Sequence, residues 1–210
     1  MVEPDVALTD FAIAIACALF AVFLARARRQ PLRDGFVWLF AATGAAALVG
    51  GIAHGFFDLG ADTDAVRALW LATMALTGGA GAALWLVTAA LVAPSQMQKL
   101  VRRLVVVEWL AYLAWIIWID PSFRVAIIQY TLPAFALLAT FVWRYSRNRH
   151  PTFLIGVAAL VLTFVAGALQ QAAFTPVDAL THNAFFHILQ LIALSGLFMT
   201  ARRIDEAIHG

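Results

Sequence analysis

The chain has 210 residues, of which 63% are hydrophobic and only 12% charged. A soluble domain carries about 25% charged residues, so a water-facing globule is excluded and most of this surface faces something else. A net charge of +2 says little by itself, because the charges are sorted along the chain, and the single Cys17 rules out an intrachain disulfide or a CxxC-type metal site.

A bilayer core takes about 20 apolar residues per helix, and on that criterion seven spans are predicted, at 7–27, 36–58, 66–93, 101–119, 122–144, 152–173 and 183–203. Before the first span stand Glu3 and Asp5, with Asp10 at its outer end and no basic residue. A secretory signal begins with positive charge, so no cleavage is expected. Asp10 either caps the first helix, where a carboxylate is favoured, or joins a polar cluster at that face. The first span is followed by Arg26, Arg28, Arg29 and Arg33.

The second span carries His54 and Asp58 near its outer end, four residues apart and so expected on one helix face. It also holds Gly51 and Gly55, and the third span holds Gly78, Gly79 and Gly81. Such small residues let helix backbones approach closely in lipid. The fourth span contains Glu108, read as a neutral or helix-bridging acid, and the fifth contains Pro133. Pro31, Pro94, Pro121, Pro151 and Pro176 are expected in the gaps, where a missing N–H costs least. The sixth span ends on Gln170 and Gln171, and the seventh opens with His182 and Asn183, followed by His187 and Gln190. Trp38, Trp118 and Trp143 lie near span ends as interfacial anchors.

The gaps alternate in charge. Twelve of the fourteen basic residues fall in the first, third and fifth loops and the C-terminus, while Arg67 and Arg124 lie opposite. Basic residues stay cytoplasmic, so the expectation is a single all-α domain over 1–210, with seven transmembrane helices, the N-terminus outside and the C-terminus inside. The preference for Arg over Lys fits a GC-rich bacterial genome and hence a bacterial inner membrane. The only lysine, Lys99, lies in a cytoplasmic loop, which disfavours a retinal Schiff base.

Ionisable residues inside spans are costly, and each needs a reason. His54 and His187 each lie about one helical turn below the outer face, at matched depth. With His182 at the boundary and Asp58 beside His54, they form a candidate metal site. Imidazole and carboxylate suit zinc, which in catalytic sites keeps three protein ligands and an open position. A haem held by His54 and His187 is the competing metal reading. Gln190 is placed to orient His187, and Gln170 or Gln171 to steady a ligating imidazole.

His54-x-x-x-Asp58, together with Thr181-His182-Asn183-Ala184-Phe185-Phe186-His187-Ile188-Leu189, resembles the CREST superfamily of seven-helix proteins, which includes alkaline ceramidases and the progestin and adipoQ receptors. The His-Asn-x-x-x-His-x-x-Gln run completed by Gln190 is also similar to an uncharacterised bacterial branch. The resemblance implies a zinc-dependent membrane hydrolase of a lipid amide or ester, or a receptor with a structural metal. It makes His54 and His187 zinc ligands and Asp58 the general base. The first histidine of the family's last-span pair falls on Asn183, with His182 one place away, and the family's second-span serine falls on Gly50. His182 is therefore the expected third ligand and Asn183 the alternative.

Overall fold

In a computed structural model the described residues are 1–26 and 30–209, without the His209 side chain. They form seven helices: α1 (Pro4–Ala25), α2 (Pro31–Phe56), α3 (Asp64–Val92), α4 (Ser95–Trp118), α5 (Phe123–Asn148), α6 (Pro151–Gln171) and α7 (His182–His209). Arg28 and Arg29 lie outside the described residues. Six helices are long and apolar enough to cross a membrane. The seventh, α4, is long enough but carries Lys99, Arg102, Arg103 and Glu108.

The helix ends follow local chemistry. Pro31 and Pro151 open α2 and α6 instead of lying in the gaps, because the first-turn N–H that proline lacks has no partner in a helix anyway. Thr63 caps α3 by accepting from the Val66 N–H at 3.3 Å. Helix α5 ends where Arg149 turns left-handed, at φ 54°. Between α4 and α5 the Ser122 N–H donates to Asp120 Oδ1 at 2.9 Å, and this bond holds that carboxyl below the usual carboxylate range.

The packing neighbours trace a ring. Helix α1 lies against α2, α2 against α3, α3 against α5, α5 against α6, α6 against α7, and α7 against α1. The ring is made of the six apolar helices, and α4 sits outside it on α3. Phe36, Leu39, Phe40, Leu84, Leu137, Phe141, Leu160 and Leu194 fill its centre with almost no exposure. The outside is apolar too: Ile15 and Leu19 on α1, Leu104, Val107 and Leu110 on α4, and Ile192 on α7 are exposed. So are Trp38, Trp118 and Trp143 near helix ends. A surface of this kind suits lipid and not water.

Polar contacts mark the two ends of the bundle. At one, Arg33 pairs with Asp205 at 2.5 Å, Arg144 donates to the Leu91 carbonyl, and Asn148 Nδ2 donates to the Ala207 carbonyl at 2.9 Å. At the other, Glu3 meets His54, and Asp5 Oδ2 accepts from the Thr181 N–H at 2.8 Å. Arg33 and Arg144 thus lie at the end opposite the histidines, while Arg67 and Arg124 stand in the first turns of α3 and α5 at the histidine end.

Candidate functional site

The histidine end is built by the start of α1. The chain enters alongside the last turn of α2, with the Val2 N–H on the Gly55 carbonyl (3.2 Å) and the Glu3 N–H on the His54 carbonyl (3.0 Å). Glycines make this approach possible. A Cβ at Gly51 would stand 2.9 Å from a Phe11 ring carbon, and one at Gly50 would stand 3.1 Å from Asp10 Oδ2. The space into which a serine at position 50 would reach is therefore occupied by the Asp10 carboxylate.

Glu3, just before α1, and three polar residues of α1 then reach across to α2 and to the start of α7. Glu3 Oε2 binds His54 Nδ1. Asp5 anchors Thr181, just before α7. Thr9 Oγ1 lies 3.1 Å from His187 Nδ1. Asp10 Oδ1 lies 3.5 Å from His187 Nε2.

The Thr9 hydroxyl hydrogen has three acceptors in reach, the Asp5 and Val6 carbonyls at 2.9 Å each and His187 Nδ1 at 3.1 Å. When it goes to a carbonyl, the oxygen accepts from His187 Nδ1, and the Nε2 lone pair is left for a cation beside Asp10; when it goes to Nδ1, Nε2 carries the proton and faces the Asp10 carboxylate. A carboxylate can only accept, so Glu3 takes the proton on His54 Nδ1. Among the described residues no hydrogen bond engages His54 Nε2. The two imidazoles come from α2 and α7, and the start of the chain touches both, His54 through Glu3 and His187 through Thr9 and Asp10. Asp10 is buried at 6% exposure, whereas the Glu3 side chain is half-exposed.

Other expected members are not gathered here. Helix α2 stops at Phe56, two residues short of the expected boundary, so Asp58 does not share a helical face with His54. It lies in the following turn, exposed, and accepts from the Gly60 N–H at 3.0 Å. His182 is the first residue of α7, and among the described residues no hydrogen bond ties it to His187. Asn183 accepts from Gln170 Nε2 at 3.1 Å, and Gln171 Nε2 donates to Gln170 Oε1 at 2.5 Å, which links α6 to α7. Gln190 is buried, with Oε1 unpartnered. Among the described residues, no three His, Cys, Asp or Glu side chains stand together as a ready-made metal site.

Two residues of the cluster, Glu3 and Thr9, escape a reading of the sequence. Glu3 looks like a terminal charge until the chain folds back on α2, and Thr9 is one threonine among many. The start of the chain thus contacts two imidazoles, with Glu3 on His54 Nδ1 and Thr9 on His187 Nδ1, and sets one buried carboxylate, Asp10, beside His187 Nε2.

Residues 6–206 match the model of a family of unknown function, DUF6962. No curated protein and no solved structure matches the chain.

Proposed function

The chain belongs to the DUF6962 family, and we propose that its His54, His187 and Asp10 hold a zinc ion that serves hydrolysis of a membrane lipid amide or ester. The observation that carries this reading is the His187–Asp10 pair. Two ligands of a tetrahedral zinc, each bonded at about 2.0–2.1 Å, stand about 3.4 Å apart, and His187 Nε2 and Asp10 Oδ1 stand 3.5 Å apart. A ligating histidine usually gives its other ring N–H to an acceptor that fixes the ring. Thr9 does this for His187 and Glu3 for His54.

Zinc, when bound, supplies a Lewis acid for the carbonyl and a water that is nucleophilic at neutral pH. The chain's own residues do the rest. Glu3 and Thr9 would set the two rings, Asp10 would balance part of the ion's positive charge, and the apolar outside of the bundle keeps the site within reach of lipid. The similarity to the CREST superfamily supports the same chemistry, with Asp10 in the place given above to His182 and no role for Asp58.

Elemental analysis of the detergent-purified protein tests the metal. One zinc per chain is expected, lost in His54→Ala while the protein still inserts. A chain without zinc sinks the proposal, and a coloured protein with iron points to haem. Zinc without turnover of ceramides, lysolipids or acyl amides assigns the site instead to a receptor or sensor.

The reading places seven spans in the membrane, α4 included, with the histidine end outside and the C-terminus in the cytoplasm. It rests on the segregation of basic residues. Reporter fusions after Arg147 should read cytoplasmic and those after Asp62 external; the opposite pattern inverts the topology.

A further inference from the structure

We propose that Glu108 and Gln129 form a second intramembrane site, one that binds a single small monovalent cation, a proton or a sodium ion, in the seam between α3, α4 and α5. Helix α4 lies outside the ring, and Leu104, Val107 and Leu110 around Glu108 are exposed on the lipid side. Glu108 itself turns inward, where Gln129 Nε2 approaches its Oε1 at 3.4 Å.

The donors in this seam are all in use. Tyr112 donates to the Met74 carbonyl (2.9 Å), Trp109 Nε1 to the Ala75 carbonyl (3.2 Å), and Gln129 Nε2 to the Gly78 carbonyl (3.2 Å). Three side chains from α4 and α5 thus cap one stretch of α3. They reach it because α3 is bare there: a Cβ at Gly78 would meet the Tyr112 ring at 2.3 Å, and one at Gly81 would meet Gln129 Oε1 at 2.5 Å. The α3 glycines seat a polar group as well as bringing helices together.

What remains is two acceptors with no donor. Glu108 Oε2 and Gln129 Oε1 are both buried and unpartnered, and Gln129 is 8% exposed. Among the described residues no basic side chain pairs with Glu108. Tyr112, one turn along its own helix, and Tyr130, next to Gln129 on α5, are titratable groups at that level. A water would satisfy the acceptors but leave an uncompensated carboxylate inside the bundle, which is strongly disfavoured. A cation between the two oxygens satisfies both acceptors and removes the charge. With a proton, the Gln129 amide, whose Nε2 faces Glu108, turns so that Oε1 accepts the Glu108 O–H; with sodium, both oxygens are ligands, as suits a hard cation.

Dicyclohexylcarbodiimide, which adds to protonated carboxyls in apolar surroundings, tests this on the full-length protein in detergent. In sodium-free buffer at neutral pH an adduct on Glu108 is expected, located by peptide mass spectrometry and absent from Glu108→Gln. Slowing by sodium at constant pH identifies sodium as a competing occupant; slowing by alkali alone identifies the proton. In Gln129→Leu, checked for an unchanged elution profile, sodium protection or the pH midpoint should move. An unmodified Glu108 in the sodium-free sample, labelling that ignores both pH and sodium, or a Gln129→Leu profile identical to wild type each overturns the proposal.

Discussion

Asp10→Asn is expected to strip the protein of zinc and to lower lipid hydrolysis by more than about 100-fold, beyond the 10–100-fold typical when a group that only orients a ligand is lost. The substitution keeps size and shape, so the close fit of Asp10 against Gly50 is preserved. It changes one thing at His187. A carboxylate oxygen 3.5 Å from Nε2 becomes an amide whose nitrogen can donate to that lone pair. The imidazole is then engaged on both sides, by Thr9 and by residue 10, and has no lone pair to offer a metal. Zinc content and turnover are to be measured on the same preparation. Loss of both assigns Asp10 as a ligand. Retained zinc with a loss of about 10²–10⁴ in turnover makes it a general base. Full zinc with full activity leaves Asp10 as a packing residue between α1 and α2.

The helices themselves are written in the apolar runs, since each long stretch is bounded by charge, proline or glycine. What composition does not reveal is their order in space. Seven stretches of similar length suggest a seven-membered bundle, yet the ring closes with six, and α4 docks outside through Trp109, Tyr112 and Glu108. Its few buried residues, Val105, Tyr112 and Ile116, are the consequence. His54, His187 and Asp10 are legible for a physical reason: an ionisable side chain in an apolar run demands a partner. Asp58 misleads because the glycine between it and His54, Gly55, is an interior residue of α2 packed against Ala7 and does not itself mark the helix end. Spacing alone puts both on one face, whereas the chain leaves the helix after Phe56 and Asp58 turns to the Gly60 N–H. The third member comes from α1, and a single sequence has no means to show that the first turn of the chain folds onto the last turn of α2.

Glu3→Gln is expected to weaken zinc binding by about 10–100-fold, while Asp58→Asn leaves binding and turnover unchanged, because an acceptor that holds a ligating histidine's other N–H contributes on that scale and a distant carboxylate does not. Both residues are acidic, partly or wholly exposed, and near His54 in the chain or in space, so a general loss of negative charge at this face would affect them alike. The difference lies in what each carboxylate holds. Glu3 Oε2 takes the proton of His54 Nδ1 and so fixes both the ring and the tautomer that frees Nε2. Glutamine at position 3 offers an NH₂ as readily as an oxygen, so the ring loses its fixed tautomer. Asp58 Oδ1 holds only the Gly60 backbone of an exposed turn. Zinc competition titrations on the two variants separate these roles. Equal losses would mean that the face attracts the metal by charge alone. A loss confined to Asp58→Asn would return the catalytic centre to the far end of α2, away from Asp10.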